Sequence, residues 1–390
     1  MSHGLKPDNV STARRASGKK ENMVDLESLL KTLTETPGPS GAELPIAQAV
    51  RDAWQPYVDH LTIDRVGSLI AVKEGQGAAP RPRLLVAAHM DEIGLMVKSM
   101  DAYPSGEEGY GFLRVTNVGG VDVRHLLGQR VMVHGRAQGD HDLPGVIGAL
   151  PAKMLPDGKQ SKVFGYETLV VDVGLPLRQL REWVSVGDFV SFHQPLRTLL
   201  GKRVAGKSLD NRASVVALTV CLDVLSQRRH AWDVIAVASA QEETALLGAA
   251  TTAFARQPDV ALAIDVTFGK GPGANDEQTF GLGEGPTIGL GPNVHMGVYE
   301  ALKEAAGALE MKVHTEPHAR YSGTDAMALY IARAGIPTGI VGIPLRYMHT
   351  MVESADLRDI ERAGRLLAEF AARLDDEFIP RLTATLLPET

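Results

Sequence analysis

Largely apolar residues gather in short runs at four places in this chain, and each run leads into side chains able to bind a metal or move a proton. Leu84 to Ala88 is followed by His89-Met90-Asp91-Glu92, and Val234 to Ala240 runs into Glu242 and Glu243. Val260 to Ile264 ends in Asp265-Val266-Thr267, and Thr338 to Ile343 leads to Arg346-Tyr347-Met348-His349. Runs of this length predict buried strands of a parallel sheet. Between them the apolar spacing turns helical. Asp25 to Thr34 predicts a helix with Asp25 as its cap, and Glu43 to Tyr57 a second helix. Past Asp210, the residues Ala213, Val216, Ala217, Val220, Cys221 and Val224 share one helical face. Val298 to Gly307 predicts a further helix, and Asp356 opens a long terminal one with Leu357, Ile360, Leu366, Phe370 and Leu374 apolar. Leu61 to Val72 reads as a hairpin turning near Gly67, and Lys312 to His318 as a strand. Strands alternating with helices predict an α/β fold.

From Ile93 to about Pro195 the pattern changes. Short strand-like pieces (Gly111 to Val115, Arg130 to Val133, Leu169 to Val173, Phe189 to Phe192) alternate with Gly- and Pro-rich turns, without long helical periodicity. This predicts a small β-barrel or sandwich inserted into the α/β part. Its expected work is assembly and access, not chemistry, so His125, His134, His141 and His193 read as structural or exposed. Residues 268 to 297 are Gly-rich and carry Pro272, Pro286 and Pro292. Their G-x-G spacings follow no strand-turn-helix pattern, so they read as loops and not as a phosphate cradle. Residues 1 to 22 are polar and basic, with Arg14, Arg15, Lys19 and Lys20, and read as a disordered tail; Met23 is a second candidate start.

Composition narrows the function. A chain of 390 residues with 44% hydrophobic content has room for a sizeable core and two domains. A net charge of −7 argues against generic nucleic-acid binding. No apolar stretch nears the roughly 20 residues of a membrane span. The single cysteine, Cys221, excludes an intramolecular disulfide and fits a cytoplasmic location. It reads as a core residue.

Gathered at the strand ends, His89, Glu242, Glu243, Asp265 and the His349 loop converge on one edge of one sheet, with Asp210 added at a helix start. Open α/β sheets place ligands there. Plainer readings stand beside this one: His89 as a satisfied strand-end histidine, Asp210 as an N-cap, and Glu242 and Glu243 as solvated first-turn acids. Neighbouring residues point in different directions, so one of the two adjacent glutamates can hold a metal while the other handles a proton. Mixed imidazole and carboxylate donors suit zinc, cobalt or manganese better than magnesium or calcium. A set this rich in acids repels itself without cations, and it is large enough for two ions sharing a bridging carboxylate. His314 and His318 stand four apart, but Pro317 argues against a helix there, so they are left out as ligands; His318 is kept as a pocket-lining residue. Thr324 or Asp325 reads as a cap of the next helix.

Several motifs together carry a resemblance. They are AAHMDEIGLMV from Ala87, GFLRVTNVGGVD from Gly111, LLGQRV from Leu126, KSLDNRA from Lys207, QEETALLGA from Gln241, AIDVT from Ala263, GTDA from Gly323 and RYMHTMVE from Arg346. In this order the chain resembles the tetrahedral, TET-type dinuclear-metal aminopeptidases. The resemblance implies an α/β/α sandwich catalytic domain in two parts, residues 23–92 and 198–390, with residues 93–197 as an inserted β-barrel dimerisation domain. It implies that His89 and His349 each bind one metal, Asp210 bridges the two, Glu243 holds one ion and Asp265 the other. Glu242 would be the general base, and Asp91 would orient His89. Two divalent ions per chain follow, zinc first and cobalt or manganese as alternatives. Short peptides would be the substrates, cut at the amino end, and the assembly a homo-oligomer built from dimers, up to a dodecamer. No nucleic acid or membrane partner is expected. One departure stands out: the loop that commonly reads LGKGP in the family reads LGEGP here, with Glu284 in the lysine's place, which leaves substrate preference open. A carboxypeptidase or acyl-amino-acid deacylase on the same fold is the related alternative. A glucan hydrolase is the distant one; it needs a carboxylate pair but does not account for His89 and His349, and three Trp residues offer little surface for sugars.

Overall fold

The computed structural model describes residues 24–154 and 165–386; the basic stretch read as a tail, and Met23, lie outside the described residues. Helices α1 (Leu26–Glu35) and α2 (Leu44–Trp54) come first, then strands β1 (His60–Ile63), β2 (Leu69–Lys73) and β3 (Arg83–His89). Asp25 caps α1 by accepting the Ser28 N–H at 3.2 Å. Between β1 and β2, Asp64 Oδ1 accepts the N–H groups of Val66, Gly67 and Ser68, each at 2.9 Å, and so closes the expected hairpin.

The next segment supplies β4 (Gly94–Tyr103), β5 (Tyr110–Val118), β6 (Arg130–Gly135), β7 (His141–Gly148), β8 (Val170–Asp172), helix α3 (Leu177–Trp183) and β9 (Phe189–Phe192). These six strands close into a barrel in the order β4-β5-β8-β7-β6-β9. Alternate residues point inward, and Leu95, Val97, Leu113, Val131, Val133, Val171 and Val190 fill a core separate from that of the main sheet. Met351, from outside the barrel, is buried in that same core and ties it to the sheet edge. Helix α3 was not expected, and β4 and β7 were not among the predicted pieces.

After the barrel come β10 (Arg197–Thr198), β11 (Arg203–Gly206), α4 (Leu209–Gln227), β12 (Asp233–Ser239), α5 (Glu242–Ala245), α6 (Leu247–Arg256) and β13 (Val260–Phe268). The chain ends with β14 (Thr287–Leu290), α7 (Met296–Ala308), β15 (His314–Pro317), α8 (Asp325–Tyr330), β16 (Thr338–Leu345), β17 (Glu353–Asp356), α9 (Leu357–Arg373) and α10 (Phe378–Leu386). The main sheet has eight strands in the order β1-β2-β12-β3-β13-β16-β14-β15. Its centre, β12-β3-β13-β16, is parallel throughout. The apolar runs predicted as strands lie here, with Leu84 to Ala88 and Val234 to Ala240 buried residue by residue. Each large apolar side chain removed from water contributes roughly 1.5–3 kcal/mol. Helix α4 packs on β3 and β13 and against α1 and α9, while α6 and α8 pack together and onto β12, β13 and β16. The result is a mixed α/β fold carrying a closed six-stranded barrel. A small sheet, β10-β11-β17, joins the end of the barrel segment to the strand after His349.

Candidate metal centre

Because β12, β3, β13 and β16 are parallel neighbours, their carboxyl ends open on one edge. His89 is the last residue of β3 and lies in register with Ser239, the last of β12. The chain then turns through Gln241, whose φ of 56° is left-handed, and brings Glu242 and Glu243 round to His89 and His349 respectively. Asp265 lies inside β13, which continues to Phe268, rather than beyond its end as expected. His349 follows β16 in a loop where both Tyr347 (φ 61°) and His349 (φ 60°) are left-handed. Asp210 does not cap α4: its own backbone and that of Asn211 leave helical geometry, and Asn211 Nδ2 donates to the Ile264 carbonyl at 3.0 Å. That bond fixes the turn to β13 next to Asp265.

The side chains meet around Asp210. His89 Nε2 lies 3.1 Å from Asp210 Oδ1 and 3.8 Å from Asp265 Oδ1. His349 Nε2 lies 3.3 Å from Asp210 Oδ2 and 3.5 Å from Glu243 Oε2. Two triads therefore form, His89-Asp210-Asp265 and Asp210-Glu243-His349, each with one donor atom per residue and all within 4.8 Å. Asp210 belongs to both and offers one oxygen to each. Glu242 belongs to neither, yet its Oε2 stands 3.7 Å from His89 Nε2. Asp91 sits behind His89, with Oδ1 3.5 Å from Nδ1, and accepts the N–H groups of Glu242 (3.1 Å) and Glu243 (3.2 Å).

Glu242 and Glu243 are not solvated helix-start acids; their side chains are 8% and 5% exposed. Burial pushes the Glu242 carboxyl up to about 10, against the pull of His89, with Asp265 and Asp325 adding to the rise. Burial and then Asp210 raise Glu243 to about 8. Asp265 is also raised well above the usual carboxylate range, chiefly by burial. Burial acts the same way on Asp210, but hydrogen bonds from His349 and His89 outweigh it and hold Asp210 low. His349 rises to about 9, first through its bond to Asp210. Burial works against the charged form of His89, yet Glu242, Asp210, Asp91 and Asp265 together lift it well above the ordinary histidine value. Such a set of buried acids facing two imidazoles, without Lys or Arg in either triad, is what bound cations would neutralise.

Several supporting residues were not legible in the sequence. Glu353 is buried and accepts the Asp210 N–H at 3.0 Å with one oxygen and the His349 N–H at 2.8 Å with the other. Asp325 is not the cap of α8, a role Thr324 takes; it is buried, accepts from Ser239, and burial raises it to about 6. The barrel reaches the centre as well. A Cβ on Gly120 would stand 2.5 Å from His349 Nδ1, and one on Gly119 3.3 Å from Glu243 Oε2. So the loop after β5 walls the site. Beneath the edge, Glu92 takes a Lys207 Nζ contact at 2.5 Å, a bond from Ser208 and the Gly38 N–H at 3.0 Å. Arg212 Nε donates to the Met90 carbonyl at 2.7 Å. Glu284 pairs with Lys312 at 2.8 Å and lines a cavity of about 640 Å³ with Lys312 and Arg358; no residue of either triad lines it. Among the described residues no helix is long and apolar enough to cross a membrane.

Known proteins resemble the chain over most of its length. The sequence pattern of the M42 glutamyl aminopeptidases matches residues 67–366. A lysyl aminopeptidase of Pyrococcus furiosus is 36% identical, over 88% of this chain and 96% of its own. The fold matches an aminopeptidase of the archaeon Desulfurococcus kamchatkensis with a TM-score of 0.83 at 34% identity, covering 93% and 98% of the two chains. It matches the TET1 peptidase of Pyrococcus horikoshii with a TM-score of 0.76 at 30% identity, covering 90% and 100%; that protein assembles into a tetrahedron or a large octahedral shell.

Proposed function

This chain belongs to the M42 glutamyl aminopeptidase family, and from that premise we propose that it removes the amino-terminal residue of short peptides with two divalent ions held at the sheet edge. The observation that carries the reading is Asp210, whose two oxygens face two separate His-carboxylate sets. The donors fit zinc first, with cobalt or manganese as alternatives. His89 and Asp265 would hold one ion, Glu243 and His349 the other, with Asp210 between them. When bound, the ions acidify a water toward neutrality and polarise the scissile carbonyl.

The remaining work falls to the chain. Glu242 stands beside His89 without belonging to either triad; with cations in place to lower its raised value, it would take the proton of the attacking water and pass it to the leaving amine. Asp91 orients His89 and, through the Glu242 and Glu243 N–H groups, fixes base and ligand relative to each other. Gly119 and Gly120 line one side of the site, against Glu243 and His349. We assign the barrel to a subunit contact in a homo-oligomer, with the TET1 assemblies as the precedent, and propose a cytoplasmic location from the single cysteine.

One peptide in three forms tests the reaction: free, amino-acetylated and carboxyl-amidated. Mass spectrometry should record stepwise loss from the amino end of the free and amidated forms only. Glu242→Gln should slow this by about 10²–10⁴ while keeping its metal. Removal of the acetyl group would instead point to a deacylase, and loss from the carboxyl end to a carboxypeptidase. Cleavage of a β-glucan alone would overturn the peptidase reading.

A further inference from the structure

Three strands across the sheet from β13, which carries Asp265, stands a residue whose carboxylate the reaction does not use. Glu316, on β15, crosses over its neighbouring strands toward β13. Its Oε1 accepts the Thr267 hydroxyl at 2.6 Å, and its Oε2 accepts the Thr287 hydroxyl at 2.6 Å. Gly342 makes the crossing feasible: a Cβ there would lie 3.1 Å from Glu316 Oε2 and 2.3 Å from Thr287 Oγ1. Gly342 is the register partner of Asp265 on the adjacent strand, and register partners point to the same face of a sheet. Thr267 stands two residues beyond Asp265 on β13 and so shares that face too. The Glu316 carboxylate is therefore on the metal-centre side of the sheet. It lies one to two strand spacings from Asp265, roughly 5–10 Å.

The side chain is only 15% exposed, and among the described residues no Lys or Arg pairs with it; His318 Nε2, at 3.9 Å, is its one potential cationic neighbour. Each oxygen already takes one hydroxyl proton, so the carboxylate is held in place with lone pairs to spare. The two hydroxyl bonds fix the carboxylate in place, and a cation arriving with a ligand would find it, among the described residues, without a lysine or arginine already paired to it. Lysine and arginine carry their charge on stems of several carbons, long enough to reach from a carbonyl at the metal centre across one or two strands.

We propose that Glu316 is the specificity-determining residue of this site and selects peptides whose amino-terminal residue is basic, lysine or arginine. The inference rests on the aminopeptidase reading given above. Acidic amino-terminal residues would meet like charge at Glu316 and be rejected.

The test is kcat/KM for a series of aminoacyl p-nitroanilides (Lys, Arg, Leu, Glu) with wild type and Glu316→Gln. The glutamine keeps the shape and can still bond both threonines, so a structural role alone would lower all substrates together. Wild type should cut Lys and Arg substrates in preference to Leu and Glu. Glu316→Gln should lower kcat/KM for Lys and Arg roughly 30-fold or more, mainly through KM, and leave Leu near wild type. A second variant, Glu316→Lys, should turn the preference toward Glu. Preference of wild type for Leu or Glu, or an equal fall on all substrates in Glu316→Gln, overturns the proposal while leaving the aminopeptidase reading intact. If wild type cuts none of the series and no free peptide, the reading beneath it fails as well.

Discussion

Replacing Glu353 by glutamine perturbs the centre without touching any proposed ligand. The carboxylate holds the backbone of Asp210 at 3.0 Å and that of His349 at 2.8 Å. A glutamine can accept only one of these N–H groups; its amide nitrogen would face the other as donor to donor. One buried N–H is thus left unsatisfied, at a cost of about 1–3 kcal/mol. The loop it anchors has little to spare, because Tyr347 and His349 both hold left-handed backbone, on the order of 1–3 kcal/mol each for residues other than glycine. Freed from Glu353, His349 should relax away from Asp210. Outer hydrogen-bond partners of ligands typically cost 10–100-fold in metal affinity when lost, and here both ions should weaken, since Asp210 belongs to both triads. Competition with a chromophoric chelator measures the affinity, and urea unfolding of the chelated protein checks that the variant folds. A folded Glu353→Gln variant with wild-type affinity for both ions would refute the reasoning. So would a loss of stability unaccompanied by any loss of affinity.

Gly120→Ala should push the His349 ring and lower affinity at the Asp210-Glu243-His349 set by about tenfold or more, with the His89 set less affected; equal loss at both would argue against a local clash. Lys207→Met should destabilise the protein by up to about 3–5 kcal/mol in urea unfolding, because it removes the nearer of the two cations facing the buried Glu92 and leaves only Arg212 at 3.9 Å, and the double change with Glu92→Leu should recover part of this. Metal binding should strengthen as pH rises from about 6 to 9. In the metal-free protein Glu243 (about 8) and His349 (about 9) both have raised values and so carry protons at neutral pH. Those protons must leave on ligation, at about tenfold in affinity per pH unit per proton. Calorimetry in buffers of different ionisation heat should record proton release at pH 7, and none released would contradict the assignment.

What the sequence disclosed was whatever depends on local pattern. The parallel strands were readable because Leu84 to Ala88 is wholly apolar and Val234 to Ala240 is apolar but for Ser239, and burial on both faces leaves no polar alternation. His89 and the Glu242-Glu243 pair could be found from their place after those runs. Strands β4 and β7 were missed because half-exposed barrel strands carry a weak signal among turn residues, and α3 because its seven residues span only about two turns of helical periodicity. Asp210 stayed ambiguous, since a cap and a ligand at a helix start look alike in sequence; Asn211, tied to Ile264, is what pulls it out of helical geometry. Glu353, Glu92 with Lys207, and Glu316 with Thr267 act through partners many residues away. No periodicity announces a buried charge whose partner is brought in by the fold. Gly119 and Gly120 were quoted as part of a motif, but their contact with Glu243 and His349 exists only once the barrel is seated on the sheet edge.

The central claim is that two ions share Asp210 in each chain. The most direct measurement removes metal with a chelator, restores zinc in steps, and follows bound metal by elemental analysis alongside peptidase rate. The two triads predict saturation at two equivalents per chain, with full activity only as the second site fills. Saturation at one equivalent with full activity would contradict it.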